Sequence, residues 1–205
     1  MTSKRTVLAA FVGAAVVAVL AGCGAATTPA SGSSASQRSS SPTPQAAESN
    51  PPGDIPDNQA FLLYTAADHS FAVKYPEGWA RTDSSADVVF SDKFNSITVA
   101  PHNGFYQPSE DYARTVEVPE IAASTPGFTP GTISTVQRSA GPAVLISYQG
   151  DSPPSPVTGK SIKQDVQRYE FTNAGRGVVV TLSAAAGSDT VDPWRVITDS
   201  FTWLP

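Results

Sequence analysis

Every aromatic residue of this 205-residue chain except Phe11 lies between Phe61 and Trp203. A packed core needs large apolar side chains, so only the stretch from about residue 58 onward can build one. Residues 58–205 make one ordinary domain, enough to bury ~68–70% of the surface of its unfolded chain. Residues 24–57 are the opposite: 26 of these 34 are Gly, Ala, Ser, Thr or Pro, and the sole large aliphatic is Ile55. Such a segment cannot bury enough apolar surface to offset the entropy of ordering it. It is expected to be a disordered spacer. A random coil of this length reaches roughly 30 Å, and prolines lengthen it further.

The N-terminus carries an address. Lys4 and Arg5 precede an uncharged apolar run from Val7 to Leu20, and small residues follow. This order is that of a secretory signal peptide. Leu20-Ala21-Gly22-Cys23 resembles the lipobox of bacterial lipoproteins. That resemblance implies a signal peptide over 1–22, cleavage before Cys23, and a diacylglycerol on its thiol. The run from Val7 to Gly22 is also shorter than the about 20 residues a membrane-spanning helix needs. Attachment to the extracytoplasmic face of the cell membrane is therefore expected to rest on Cys23. Two or three acyl chains anchor durably, because each buried CH₂ contributes ~0.8 kcal/mol.

Cys23 is the only cysteine. The domain beyond it has no disulfide, no thiolate nucleophile and no cysteine-ligated zinc. Removing Lys4 and Arg5 leaves 11 basic residues against 18 acidic ones, a net charge of −7. That balance disfavours nucleic acid and gives no polybasic attraction to anionic lipid.

Within 58–205 the patterning is mostly that of strands. Phe71, Val73 and Tyr75 alternate with Ala72 and Lys74, and Pro76-Glu77-Gly78 turns the chain. Val88–Phe90, Ile97–Val99, Gly131–Arg138 and Val144–Tyr148 read as further strands, and Asp151–Pro156 as a loop. Ser109-Glu110-Asp111 has the capping side chain and acidic first turn of a helix. That helix is expected to send Tyr112, Ala113 and Val116 inward and to stop before Pro119. Gln167, Tyr169 and Phe171 share one strand face. Asn173-Ala174-Gly175 has turn chemistry, and Gly177–Leu182 completes a hairpin. Asp192-Pro193 opens a second helix, whose Trp194, Ile197 and Phe201 form one buried stripe. Six or seven strands with two helices make an α+β domain, an antiparallel sheet flanked by helices.

Three of these segments resemble PsbP-like domains. Phe71-Ala72-Val73-Lys74-Tyr75-Pro76-Glu77-Gly78-Trp79 is similar to their opening strand and turn. Ile97-Thr98-Val99 followed by the helix from Ser109 keeps their order. Ile197-Thr198-Asp199-Ser200-Phe201 resembles their closing helix. With the lipobox, the chain is similar to actinobacterial lipoproteins of the LpqN type. The resemblance implies a PsbP-like sandwich and a binding or assembly role without enzyme activity.

Catalytic motifs are sparse. His69 and His102 both read as loop residues, and no H-E-x-x-H or G-x-S-x-G is present. Thr158-Gly159-Lys160-Ser161 lacks the earlier glycine of a phosphate-binding loop, that place being Pro154. Asp83, Asp87 and Asp92 read as a solvated rim, and Glu110, Asp111, Glu117 and Glu120 as a solvated helix face. No cofactor, metal or catalytic residue is expected. Trp79, Trp194 and Trp203 read as core or core-rim residues. Phe105 and Tyr106 lie in a stretch without strand alternation, and both are expected to be exposed and to contact a ligand or partner. The expected function is a non-catalytic binding or accessory role toward an envelope protein. The alternative is carriage of a small apolar or amphiphilic ligand; a surface hydrolase stands third.

Overall fold

The computed structural model describes residues 53–205 apart from 86 and 156. Cys23, the signal segment and most of the spacer lie outside the described residues. Ten strands form two antiparallel sheets among those described. The large sheet begins with β3 (Ala80–Ser84), β4 (Asp87–Asp92) and β5 (Asn95–His102). It continues with β6 (Thr129–Arg138), β7 (Gly141–Asp151), β8 (Lys163–Asn173) and β9 (Arg176–Ala185). Its spatial order is β3-β4-β5-β9-β8-β7-β6. The small sheet joins β1 (Phe61–Thr65), β2 (Phe71–Pro76) and β10 (Thr202–Trp203), with β2 in the centre.

Strand alternation divides the large sheet into two faces. Val88, Phe90, Ile97, Val99, Tyr169, Phe171, Val178, Val180 and Leu182 share one core cluster. The small sheet and α3 (Val191–Asp199) cover that face with Phe71, Val73, Trp194, Ile197 and Phe201. Phe201 stacks on Phe171 at 4.2 Å and on Phe71 at 5.6 Å, so one ring joins both sheets. Burying a side chain of this kind contributes ~1.5–3 kcal/mol. The expected stripe of Trp194, Ile197 and Phe201 is therefore present, although Phe201 lies just beyond the helix.

The other face is only partly covered. α1 (Glu110–Tyr112), a π-helical segment (Ala113–Glu117) and α2 (Val118–Ser124) follow one another without a break. Their Ala113, Val118 and Ile121 pack on Ile133, Val144, Ile146 and Tyr148 of β6 and β7. Ser109 caps the start, its side chain accepting from the Tyr112 N–H. The helix does not stop before Pro119. The Val118 N–H donates to Ala113 O, five residues back, so the winding widens just before the residue that has no N–H to give. Ala113 is buried as expected, Val116 is half-buried, and Tyr112 is exposed.

At the β8–β9 turn, Ala174 and Gly175 take φ of 51° and 79°. Two successive positive φ values give the turn whose twist matches an antiparallel hairpin. Ile55, assigned to the spacer by composition, is instead 6% exposed and belongs to the core. The Asp189 N–H also donates to Asp54 Oδ1 at 2.9 Å. The ordered body thus takes in residues 53–57.

Candidate functional site

Two glycines on the β8–β9 hairpin create the seat of the loop that follows β5. A Cβ on Gly175 would come within 2.7 Å of Phe105 Cδ2, and one on Gly177 would collide with Tyr106 Cδ1. The rings rest where side chains are missing. The Tyr106 N–H donates to Gly175 O at 2.8 Å, and Thr172 Oγ1 donates to Tyr106 O at 2.9 Å. Adjacent residues of this pinned loop point opposite ways. Phe105 is 79% exposed, as expected; Tyr106 is 5% exposed, contrary to expectation. Its ring is drawn in by the space over Gly177 and by stacking on His102 at 4.1 Å.

Beneath Tyr106 lies a buried polar cluster. The Tyr106 hydroxyl donates to Glu117 Oε1 at 3.3 Å. Arg168 donates through Nε to Glu170 Oε1 at 2.9 Å and through Nη2 to Glu117 Oε1 at 3.4 Å. One guanidinium thus holds both acids, which brings the carboxyls of Glu117 and Glu170 together. Both are buried, Glu170 completely, and Oε2 of each receives no donor from the described residues. Burial pushes the Glu170 carboxyl up to about 7, and Glu117 beside it adds to this, while Arg168 pulls the other way. Burial also drives the Tyr106 phenol far upward, helped by both carboxylates, so this hydroxyl remains a donor. Glu117 is thus not part of the solvated helix face expected of it. Glu110 also turns inward, its Oε1 accepting from the Thr135 N–H at 2.7 Å and from Thr135 Oγ1 at 2.9 Å.

Beside this cluster a cleft of about 470 Å³ opens between α1 and the sheet. Pro108, Pro142, Ala143 and Val144 give it apolar walls, and Ser109, Thr172 and Glu170 contribute polar ones. A larger groove of about 650 Å³ lies on the part of the same face spanned by β4, β5 and β9. Ser91, Ser96, Thr98 and Ser183 line it, with Phe94 and Pro153–Pro154 at its sides. Asn95 also lines it; this residue is buried, and its Oδ1 has no donor.

The remaining candidate residues stay apart. His69 occupies a turn at φ 56°, while Asp68 beside it accepts from Ser70 N and Oγ. Asp83 pairs with Arg81 at 2.7 Å, and Asp92 with Lys93 at 4.0 Å. Thr158–Ser161 lies in the loop between β7 and β8. Among the described residues no three His, Cys, Asp or Glu side chains gather as a metal site, and no helix is long and apolar enough to cross a membrane. Trp194 is buried, while Trp79 and Trp203 pack at the core margin. Cys23 lies outside the described residues.

No family model matches the sequence, and no curated protein sequence matches it. Solved structures do. Cyanobacterial PsbP (CyanoP) from Synechocystis sp. PCC 6803 aligns with a TM-score of 0.53 at 16% identity, over 74% of this chain and 98% of that one. LpqN of Mycobacterium tuberculosis, described as involved in cell envelope biogenesis, aligns at a TM-score of 0.40 and 16% identity, over 73% and 93%. A Bacteroides thetaiotaomicron VPI-5482 protein aligns at 0.48 and 9% identity, over 70% of this chain. The chain spans about half of that protein's length, 48%. The cyanobacterial match shows that this domain has the PsbP-like fold implied by its sequence motifs; at this identity the likeness speaks for fold alone.

Proposed function

We propose that this chain is a non-catalytic binding module, tethered to the extracytoplasmic face of the membrane by lipid on Cys23, that meets an envelope protein through Phe105. One observation carries the reading: Phe105 is 79% exposed, yet the backbone beneath it is pinned. Here the neighbouring Tyr106 is anchored by its ring, its N–H and its carbonyl, which fixes where Phe105 projects. A preset aromatic loses little freedom on binding, and such residues dominate interface energies. The cleft lined by Pro108, three residues after Phe105, and by Pro142 offers room for a partner's side chain.

The test places a photo-crosslinking amino acid at position 105 in living cells, with the 91% exposed Val157 as control. A discrete protein adduct at 105 and not at 157 is the expected result. Equal, diffuse labelling at both positions refutes the Phe105 site.

A second reading is carriage of a small amphiphilic ligand, and the groove beside Phe94 supports it. The orphan Asn95 Oδ1 would accept from a ligand hydroxyl or amide, while Phe94 and Val89 would meet an apolar part. Native mass spectrometry of cell-derived protein checks this. Consistently empty protein excludes the carrier.

A further inference from the structure

We propose that Glu117 and Glu170 hold one proton between them, and that this proton clasps the π-helical segment and the Tyr106 root of the Phe105 loop to the sheet. As a regulatory device for binding, the clasp rests on the Phe105 reading; as a property of the fold it does not.

The argument begins with charge. Two carboxyls meet under cover, one from the helix and one from β8, with Glu117 7% and Glu170 0% exposed. A buried charge needs a partner. Among the described residues Arg168 is the single cation bonded to both, and its hydrogen bonds go to the Oε1 atom of each. If both acids ionise, one negative charge remains uncompensated, and neither Oε2 has a donor. One proton corrects both faults. It cancels the excess charge and turns one carboxyl into a donor toward the other. Like-charged acids sharing a site commonly separate their titrations in this way. The raised Glu170 carboxyl, at about 7, agrees with the geometry.

The groups facing the pair come from every element packed around it. Arg168 belongs to β8, and Tyr106 to the loop after β5. His102 stacks on Tyr106 from β5. Tyr148 of β7 feels the Arg168 charge, and Glu110 faces Thr135 across the cleft. Loss of the shared proton leaves two like charges between helix and sheet. The Tyr106 hydroxyl touches Glu117, so the disturbance reaches the base of the Phe105 loop directly. The π-helical winding also sits at this contact, and such insertions recur at functional positions.

Hydrogen exchange on the full chain tests the clasp without any partner. Backbone protection over residues 110–124, corrected for the intrinsic pH effect on exchange, is measured from pH 5 to 8.5. A carboxyl moved from 4.5 to about 7 lowers protection by roughly tenfold between pH 6 and 8. Glu170→Gln and Glu117→Gln each replace the shared proton with an amide, and each should flatten this slope. Flat protection in the wild type overturns the proposal, as does an unchanged slope in a folded amide variant. A slope abolished by His102→Gln also overturns it, because the trigger would then be the imidazole. Crosslinking at position 105 can fail while this slope persists, and the reverse also holds, so the two readings fall separately.

Discussion

Gly177→Ala adds one methyl group and should be among the most damaging small changes in this domain. Gly177 lies on β9 in ordinary strand conformation, so alanine meets no backbone objection there. In an open strand the change would even stabilise by ~0.5–1 kcal/mol. Here the new Cβ would collide with the Tyr106 ring, which must leave its seat. A tyrosine buries about 150–250 Å², worth roughly 4–6 kcal/mol at ~25 cal/mol/Å². Partial burial in the unfolded chain trims this by roughly 10–40%. Some repacking of the displaced ring leaves an expected loss of about 3–4 kcal/mol, or a Tm lowered by ~6–16 °C for a domain of this size. Chemical denaturation and calorimetry provide the measurement. The decisive background is Tyr106→Ala, where the methyl finds open space and the same glycine change should be neutral or stabilising. The reasoning is refuted if Gly177→Ala costs under about 1 kcal/mol, or if its cost is undiminished once the ring is gone.

Three other outcomes are expected. Glu170 binds its proton more tightly in the folded state, so its contribution to stability is greatest below pH 4.5 and declines as pH rises to about 7. Glu170→Gln should therefore gain up to about 3 kcal/mol over the wild type at pH 8, a difference that shrinks toward pH 5 in denaturant titrations. Phe201→Ala removes the ring that joins both sheets and should cost about 3–5 kcal/mol by thermal unfolding. Cys23→Ser should leave the precursor unlipidated and move it out of the detergent fraction; unchanged partitioning would defeat the lipobox reading.

The sequence reported some layers of this molecule and concealed others. Period-two alternation revealed β2 and one face of β8, while short runs rich in apolar and β-branched residues marked β4, β5, β6, β7 and β9; β9 is buried almost throughout and so shows no alternation. β3 carries no such signal, since all five of its residues are exposed. β1 has Leu62 and Leu63 outward at the edge of the small sheet, so its pattern does not mark a buried face. Ile55 was hidden by its neighbours: one aliphatic among Pro, Gly and Asp reads as spacer, yet it finds a niche in the core. Pro119 signalled a helix end, and π-helical winding instead carried the helix past it. The exposure of Phe105 was legible and the burial of its neighbour was not. Tyr106 turns inward because Gly177 lies opposite, a pairing of residues 71 positions apart that composition cannot show. Glu170 stood on the outward side of the Tyr169–Phe171 face. Nothing local says that a helix lies over that side and brings Glu117 to it.

The strand order of the large sheet also has a consequence for assembly. β3, β4 and β5 form one run of neighbours, and β6 to β9 form another. Each run can zip from its own turns, with loops only a few residues long except between β7 and β8. Within this sheet one seam, β5 against β9, joins them across the long stretch of chain between. Closing so wide a ring costs entropy that neither half can offset until both are largely built. The seam is therefore the step at which the protein commits to its shape. Two polypeptides divided between β5 and β6 would retain every short-range zipper and should find one another across that line.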